Sequence, residues 1–148
     1  MPTPSSPSDA RVTRLTQYFE SLTIDSVSAL ASLYTEDAWF KDPFNEVRGL
    51  PELERVFRHM FQQVRDPRFV ITLTVAGGDD AFLTWDFLFR LHGSPDREQV
   101  IRGATHIQFA PDGRVAYHRD YWDAAEELYE KLPVLGGVMR FLKRRAAG

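Results

Sequence analysis

Apolar positions recur at helical spacing in the first part of the chain and at every second residue in the rest. Val12, Leu15, Phe19 and Leu22, with Tyr18 beside them, predict a helix capped by Ser8. "TIDS" breaks it, and Asp25 or Ser26 caps a second helix through Val27, Leu30, Leu33 and Tyr34. "AWFKD" reads as a short strand. In "RGLPELERVFRHMFQQV", Pro51 stands where a first turn tolerates proline, and Leu53, Val56, Phe57, Met60 and Phe61 line one face, which predicts a third helix. The period then falls to two. "RFVITLTVA", "AFLTWDFLFRLH", "EQVIRGATHIQFA" and "RVAYHRDYW" are rich in β-branched and aromatic residues and are separated by "GGDD", "GSPD" and "APDG", all turn chemistry. Strands with such short links pair antiparallel. The expected class is α+β, an antiparallel meander with three helices on one face. A last segment is helical at both ends and interrupted by Pro133 and Gly136-Gly137.

Composition narrows this to one domain. The 148 residues suffice to bury a core, and 43% hydrophobic with 26% charged is an ordinary soluble balance. Aromatics reach 13%, which suits a wall for flat apolar ligands as well as a core. There is no cysteine, so disulfides, thiol catalysis and thiolate metal ligands are excluded, in keeping with a cytoplasmic protein. Residues 1–8 are proline- and serine-rich, lack the pattern of a signal peptide and predict a disordered lead-in. No apolar run approaches the roughly 20 residues that span a bilayer. From Lys131 onward there are five basic residues and no acid, so the net charge of −3 leaves −8 on the rest. A body that acidic argues against nucleic acid as partner.

Several side chains carry candidate chemistry. Asp42 stands between Phe40 and Phe44 and directly before Pro43. It reads either as a turn residue at a strand end or as a general base desolvated by its aromatic neighbours. On the last strand, alternation puts His118, Asp120 and Trp122 on one face and Tyr117, Arg119 and Tyr121 on the other. His118 stands one pleat repeat from Asp120, close enough to share a proton with it; a hydrogen bond satisfying a polar patch is the competing reading. On the strand at 81–92, Leu83, Trp85, Phe87, Phe89 and Leu91 form one apolar face, and Asp86 is expected to pair with Arg90 or Arg102. His106 points away from Thr105, to the sheet surface. His59, His92 and His118 are scattered, and no carboxylate cluster has metal-loop spacing, so no metal site is expected.

The stretch "QYFESLTIDSVSALASLYTEDAWFKDP", with Gly49 opening the third helix and "HRDYWD" ending the meander, resembles the nuclear transport factor two-like superfamily, in its SnoaL-like and ketosteroid-isomerase-like branch. The resemblance covers residues 9–124 and implies a curved sheet wrapped on its helices as a cone around an apolar pocket. It implies a base at Asp42 and a tyrosine donor 24 residues earlier, at Tyr18. Thr105 falls where the isomerase has a second, aspartate donor. SnoaL-like cyclases place an acid/base aspartate where Asp120 stands. Asp42, Tyr18, Asp120 and His118 are thus the candidate catalytic residues, with Phe40, Trp85, Thr105, Trp122, Phe57 and Phe61 as the candidate ligand wall. The implied activity is cofactor-free proton abstraction next to a carbonyl of a small, apolar, cyclic ligand, in a homodimer. A carrier or sensor of hydrophobic metabolites and a protein-interaction module are the rivals, and an epoxide hydrolase of this fold would need an Asp-Arg-Asp set. Residues 125–148, amphipathic and basic, read first as a helix closing the cone mouth or docking on a partner subunit. A membrane-surface anchor is their lesser reading.

Overall fold

The meander expected from the period-two stretches is present, and two further strands extend it. The computed structural model describes residues 9–128 and 135–147. Strands β1 (Tyr34–Lys41), β2 (Glu46–Arg48), β3 (Arg65–Gly77), β4 (Asp80–Leu91), β5 (Ser94–Phe109) and β6 (Val115–Tyr121) form one sheet in the order β2-β1-β6-β5-β4-β3. β3 to β6 pair antiparallel with their sequence neighbours, whereas β1 lies parallel to β6. That parallel pairing carries β1, made early, into the middle of the sheet beside the last strand.

Helices α1 (Ala10–Glu20), α2 (Leu30–Leu33) and α3 (Leu50–Gln63) precede the meander. Val12, Leu15 and Phe19 of α1 and Leu53 and Phe57 of α3 meet Leu83, Trp85, Phe89, Ile101, Ile107 and Val115 of the sheet in one core. Fully burying a side chain of this size contributes about 1.5–3 kcal/mol. The opposite sheet face leaves Leu73, Val75 and Phe82 exposed. Gly49 takes φ 97° ahead of α3, a conformation that favours glycine, and Pro51 follows in the first turn.

Some boundaries differ from the sequence expectation. Asp9, not Ser8, caps α1, its side chain accepting from the Arg11 N–H. The predicted second helix is mostly a 3-10 turn, Ile24–Ala29, followed by the single turn of α2. Thr23 caps it in a reciprocal box with Ser26, so neither Asp25 nor Ser26 is the cap. Tyr34 belongs to β1, which begins four residues before the predicted strand. Gly136 and Gly137 lie inside helix α5 (Leu135–Ala146) rather than interrupting it. The expected lead-in at 1–8, the Ser8 position and the break at Pro133 lie outside the described residues.

The expected partner of Arg102 also changes. Asp86 sits opposite Arg102 in the β4–β5 register, yet the guanidinium bonds Glu127 of α4 (Ala124–Glu127), 2.9 Å away. Glu127 also accepts the Arg102 backbone N–H at 3.3 Å. The β5–β6 ladder ends at Ala104 and Tyr121, so this carboxylate takes a donor just past the end of β6. Arg90 bonds the Pro95 carbonyl and lies 3.8 Å from Glu98, not on Asp86.

A candidate acid-base site on the inner sheet face

The polar groups of the inner face form one line across the sheet. Trp85 Nε1 donates to Thr105 Oγ1 at 2.7 Å, and the Thr105 hydroxyl donates to Asp120 Oδ1 at 2.6 Å. His118 Nε2 lies 2.7 Å from the same Oδ1, and Tyr34 Oη lies 2.7 Å from His118 Nδ1. Elementary donor arithmetic orients every proton. Indole N–H only donates, so Thr105 accepts from Trp85 and turns its own hydrogen to Asp120. With Asp120 ionised, His118 Nε2 carries a hydrogen and donates to it. Thr105 and His118 therefore converge on Oδ1. Among the described residues, Oδ2 has no hydrogen-bond partner.

Local sequence explains the placement. His118 and Asp120 share the inward face of β6, and Thr105 is the register partner of Asp120. Trp85 is the register partner of Gly103, and a methyl group there would overlap the indole ring. The glycine is thus the notch in which the indole lies flat enough to reach Thr105. His118 is nearly fully buried, with the rings of Phe19 at 6.0 Å and Phe40 at 4.9 Å.

Asp120 lines two spaces. An interior cavity of about 30 Å³ is lined by aromatic and aliphatic side chains, chiefly Phe19, Phe57, Phe69 and Trp85, with Thr105, His118 and Asp120. That is room for a water-sized molecule, far below the roughly 300–1,000 Å³ of small-molecule sites. An open cleft of about 450 Å³ lies at the end of β1 and β6, lined by Lys41, Asp42, Arg119, Asp120, Tyr121 and Trp122 among others.

The predicted residues are only partly brought together. Asp120, His118, Thr105, Trp85 and Phe57 line the interior cavity. Trp122 stands in the outer cleft, edge-on to Phe44. Phe40 is buried behind His118 and Phe61 packs on the core; neither lines the interior cavity or the outer cleft. Asp42 is a turn residue. Its Oδ1 accepts the Phe44 and Asn45 backbone N–H groups at 2.7 Å each, and both its oxygens meet the Asn45 side chain at 3.1 Å. Phe44 is 54% exposed, so the expected aromatic desolvation of Asp42 is missing. Tyr18 donates to the Ser26 carbonyl at 2.9 Å and does not face Asp42. No arginine lines the interior cavity, so the Asp-Arg-Asp set is not assembled there. His106 sits on the outer face as expected, 2.7 Å from Asp80 and stacked on Phe82. Tyr34 was missed because Leu30, Leu33 and Tyr34 fit helical spacing. The signal for it was its shared parity with buried Ala38 and Phe40.

Burial shapes the two tyrosines. It pushes Tyr18 up to about 12, with the Glu54 carboxylate adding to the effect. It pushes Tyr34 well above the ordinary range, followed by the Asp120 charge. Both phenols therefore resist ionisation more in the folded chain than unfolded, where tyrosine titrates near 10. Stability from this source is intact below that value and is lost as pH rises through the folded values. Denaturant midpoints are expected to fall from about pH 10 upward, and to fall less in Tyr18→Phe. Phenolate absorbance read beside the unfolding curves checks this.

A curved, mixed six-stranded sheet wrapped on N-terminal helices is the nuclear transport factor two-like fold. The chain belongs to the SnoaL-like domain family, whose model matches residues 15–118 and stops two residues before Asp120. A protein of ketosteroid isomerase-like fold from Catenulispora acidiphila, solved in complex with trimethylamine, matches with a TM-score of 0.70 over 82% of this chain and 92% of that one, at 15% identity. A protein described as a SnoaL-like polyketide cyclase from Shewanella putrefaciens matches with 0.67 over 82% and 98%, at 19% identity. An epoxide hydrolase from M. tuberculosis matches with 0.62 over 79% and 83%, at 15% identity. At these identities the likeness concerns the fold. No curated protein matches the chain.

Proposed function

We propose that Asp120 is a general base that removes a proton next to a carbonyl of a small, largely apolar, cyclic ligand, in an isomerase- or cyclase-type reaction. One observation carries this reading: Oδ1 is held by Thr105 and His118, Oδ2 has no partner among the described residues, and Asp120 lines both the interior cavity and the outer cleft. A carboxylate fixed by one oxygen presents the other at a set place, which is the geometric requirement for proton transfer. The ligand body lies in the cleft, against Trp122 and Tyr121, because the interior accepts no more than a small substituent. Tyr18 is not the enolate donor in this reading, and Thr105 and His118 already donate to Asp120. In this reading Lys41 or Arg119, the positive residues that line the cleft, meets the developing oxyanion.

A second reading is favoured by the small interior and by the exposed Leu73, Val75 and Phe82 on the outer face: a module that binds a second copy or another protein through its sheet. Incubation of the chain with 2-tetralone in deuterium oxide, followed by proton NMR, separates the two. Catalysed exchange of the hydrogens beside the carbonyl, blocked by 2-naphthol, supports the base. Binding of 2-naphthol without exchange indicates a carrier. Neither binding nor exchange, with self-association in sedimentation, favours the interaction module.

A further inference from the structure

We infer that Tyr34 is a positioning residue that holds His118 neutral and keeps its Nε2 hydrogen on Asp120; this rests on the reading of Asp120 as the base. Tyr34 has no exposed surface, and the only hydrogen-bond partner of its hydroxyl among the described residues is His118 Nδ1, at 2.7 Å. The phenol and imidazole rings lie 5.9 Å apart and 27° from parallel, so the hydroxyl reaches the ring nitrogen edge-on. Burial keeps the phenol protonated, and a protonated phenol with one neighbour donates to it.

The consequence for His118 follows from counting hydrogens. A second proton on the ring has to go to Nδ1, where the Tyr34 hydrogen already points. The hydroxyl then has to turn its hydrogen away from His118, the one partner that it has among the described residues. An orphaned buried donor is disfavoured. The groups that face His118 from the packed elements are Phe19 of α1, Tyr34 and Phe40 of β1, Ile107 of β5 and Asp120 of β6. Of these only Asp120 carries charge, and it attracts that second proton. Tyr34 opposes it. With the ring neutral, Asp120 keeps an unshared charge, and its free oxygen stays a competent base. With the ring cationic, the carboxylate becomes half of an ion pair and a weaker one.

The test uses the full chain labelled with ¹⁵N at histidine. At neutral pH, wild-type His118 is expected to show one protonated and one bare ring nitrogen, with the hydrogen on Nε2. Tyr34→Phe keeps the ring packing and removes the donor. It is expected to populate the doubly protonated ring and to slow 2-tetralone exchange by about tenfold, the effect of losing one hydrogen bond of ordinary strength, while 2-naphthol affinity is unchanged. The Tyr34 chain with 3-fluorotyrosine in place of tyrosine, which keeps the hydroxyl, is expected to retain the wild-type nitrogen pattern. A protonated Nδ1 in the wild-type chain overturns the inference without any variant, as does a Tyr34→Phe chain with the wild-type pattern. The nitrogen pattern is read without ligand. Failure of the base reading shows up separately, as exchange that survives Asp120→Asn.

Discussion

Asp120→Asn lowers the rate of 2-tetralone exchange by roughly 10²–10⁴-fold, the range expected when a positioned general base is removed. The amide has nearly the same shape and still accepts from Thr105, so the loss is one of basicity rather than of architecture. Asp42→Ala gives the opposite pattern. It leaves exchange intact and lowers stability by about 1–2 kcal/mol, because the N–H groups of Phe44 and Asn45 lose a charged acceptor in a half-exposed turn. Exchange rates and denaturant unfolding on the two purified variants decide the matter. Full activity in Asp120→Asn with loss in Asp42→Ala would return the base to the proline-preceded turn.

Gly103→Ala has the second large effect. A Cβ at this position overlaps the six-membered ring of Trp85 directly across the strand pair, so the indole has to leave its notch. Overpacking of this kind costs about 1–3 kcal/mol. The displaced indole also abandons Thr105, whose hydroxyl then loses the donor that fixes its direction toward Asp120. The expected result is a lowered unfolding midpoint, a shifted Trp85 indole N–H resonance and slower exchange. Gly103→Ala with wild-type stability and an unmoved indole signal would show that the notch is not needed.

Much of this arrangement was legible in the residues. Period-two alternation placed His118 and Asp120 on one face of β6 and Thr105 opposite to His106, and the structure agrees, whereas Trp122 lies past the end of β6 in the outer cleft. Alternation works there because one face of the strand is buried and the other is not. The β1 region was harder. Tyr34 satisfies a helical spacing with Leu30 as well as a strand parity with Phe40, and local pattern cannot choose between them. The choice is made by β6, which pairs with β1 from far along the chain. The surroundings of Asp42 differ from the expected ones for a related reason. Two flanking phenylalanines suggest burial, yet Phe44 turns outward beside Trp122, and that contact depends on where β6 ends. Parallel pairing between the first and last strands leaves no mark in composition or period, so the tyrosine that meets the histidine was not identifiable from spacing alone.

That same pairing sets an order of assembly. The meander from β3 to β6 closes through neighbours in sequence, each hairpin available as soon as it is made. The Tyr34–His118 bond spans 84 residues. Contacts of that separation form late, after the loop-closure entropy has been met by other structure. During synthesis, α1, β1 and α3 leave the ribosome with the place for β6 unfilled, and the inner face of β1 has no acid or histidine to meet. The acid-base group comes into being only when the final strand slots between β1 and β5. A chain cut short before residue 115 has the sequence of helices α1 to α3 and of strands β1 to β5, yet never possesses the site.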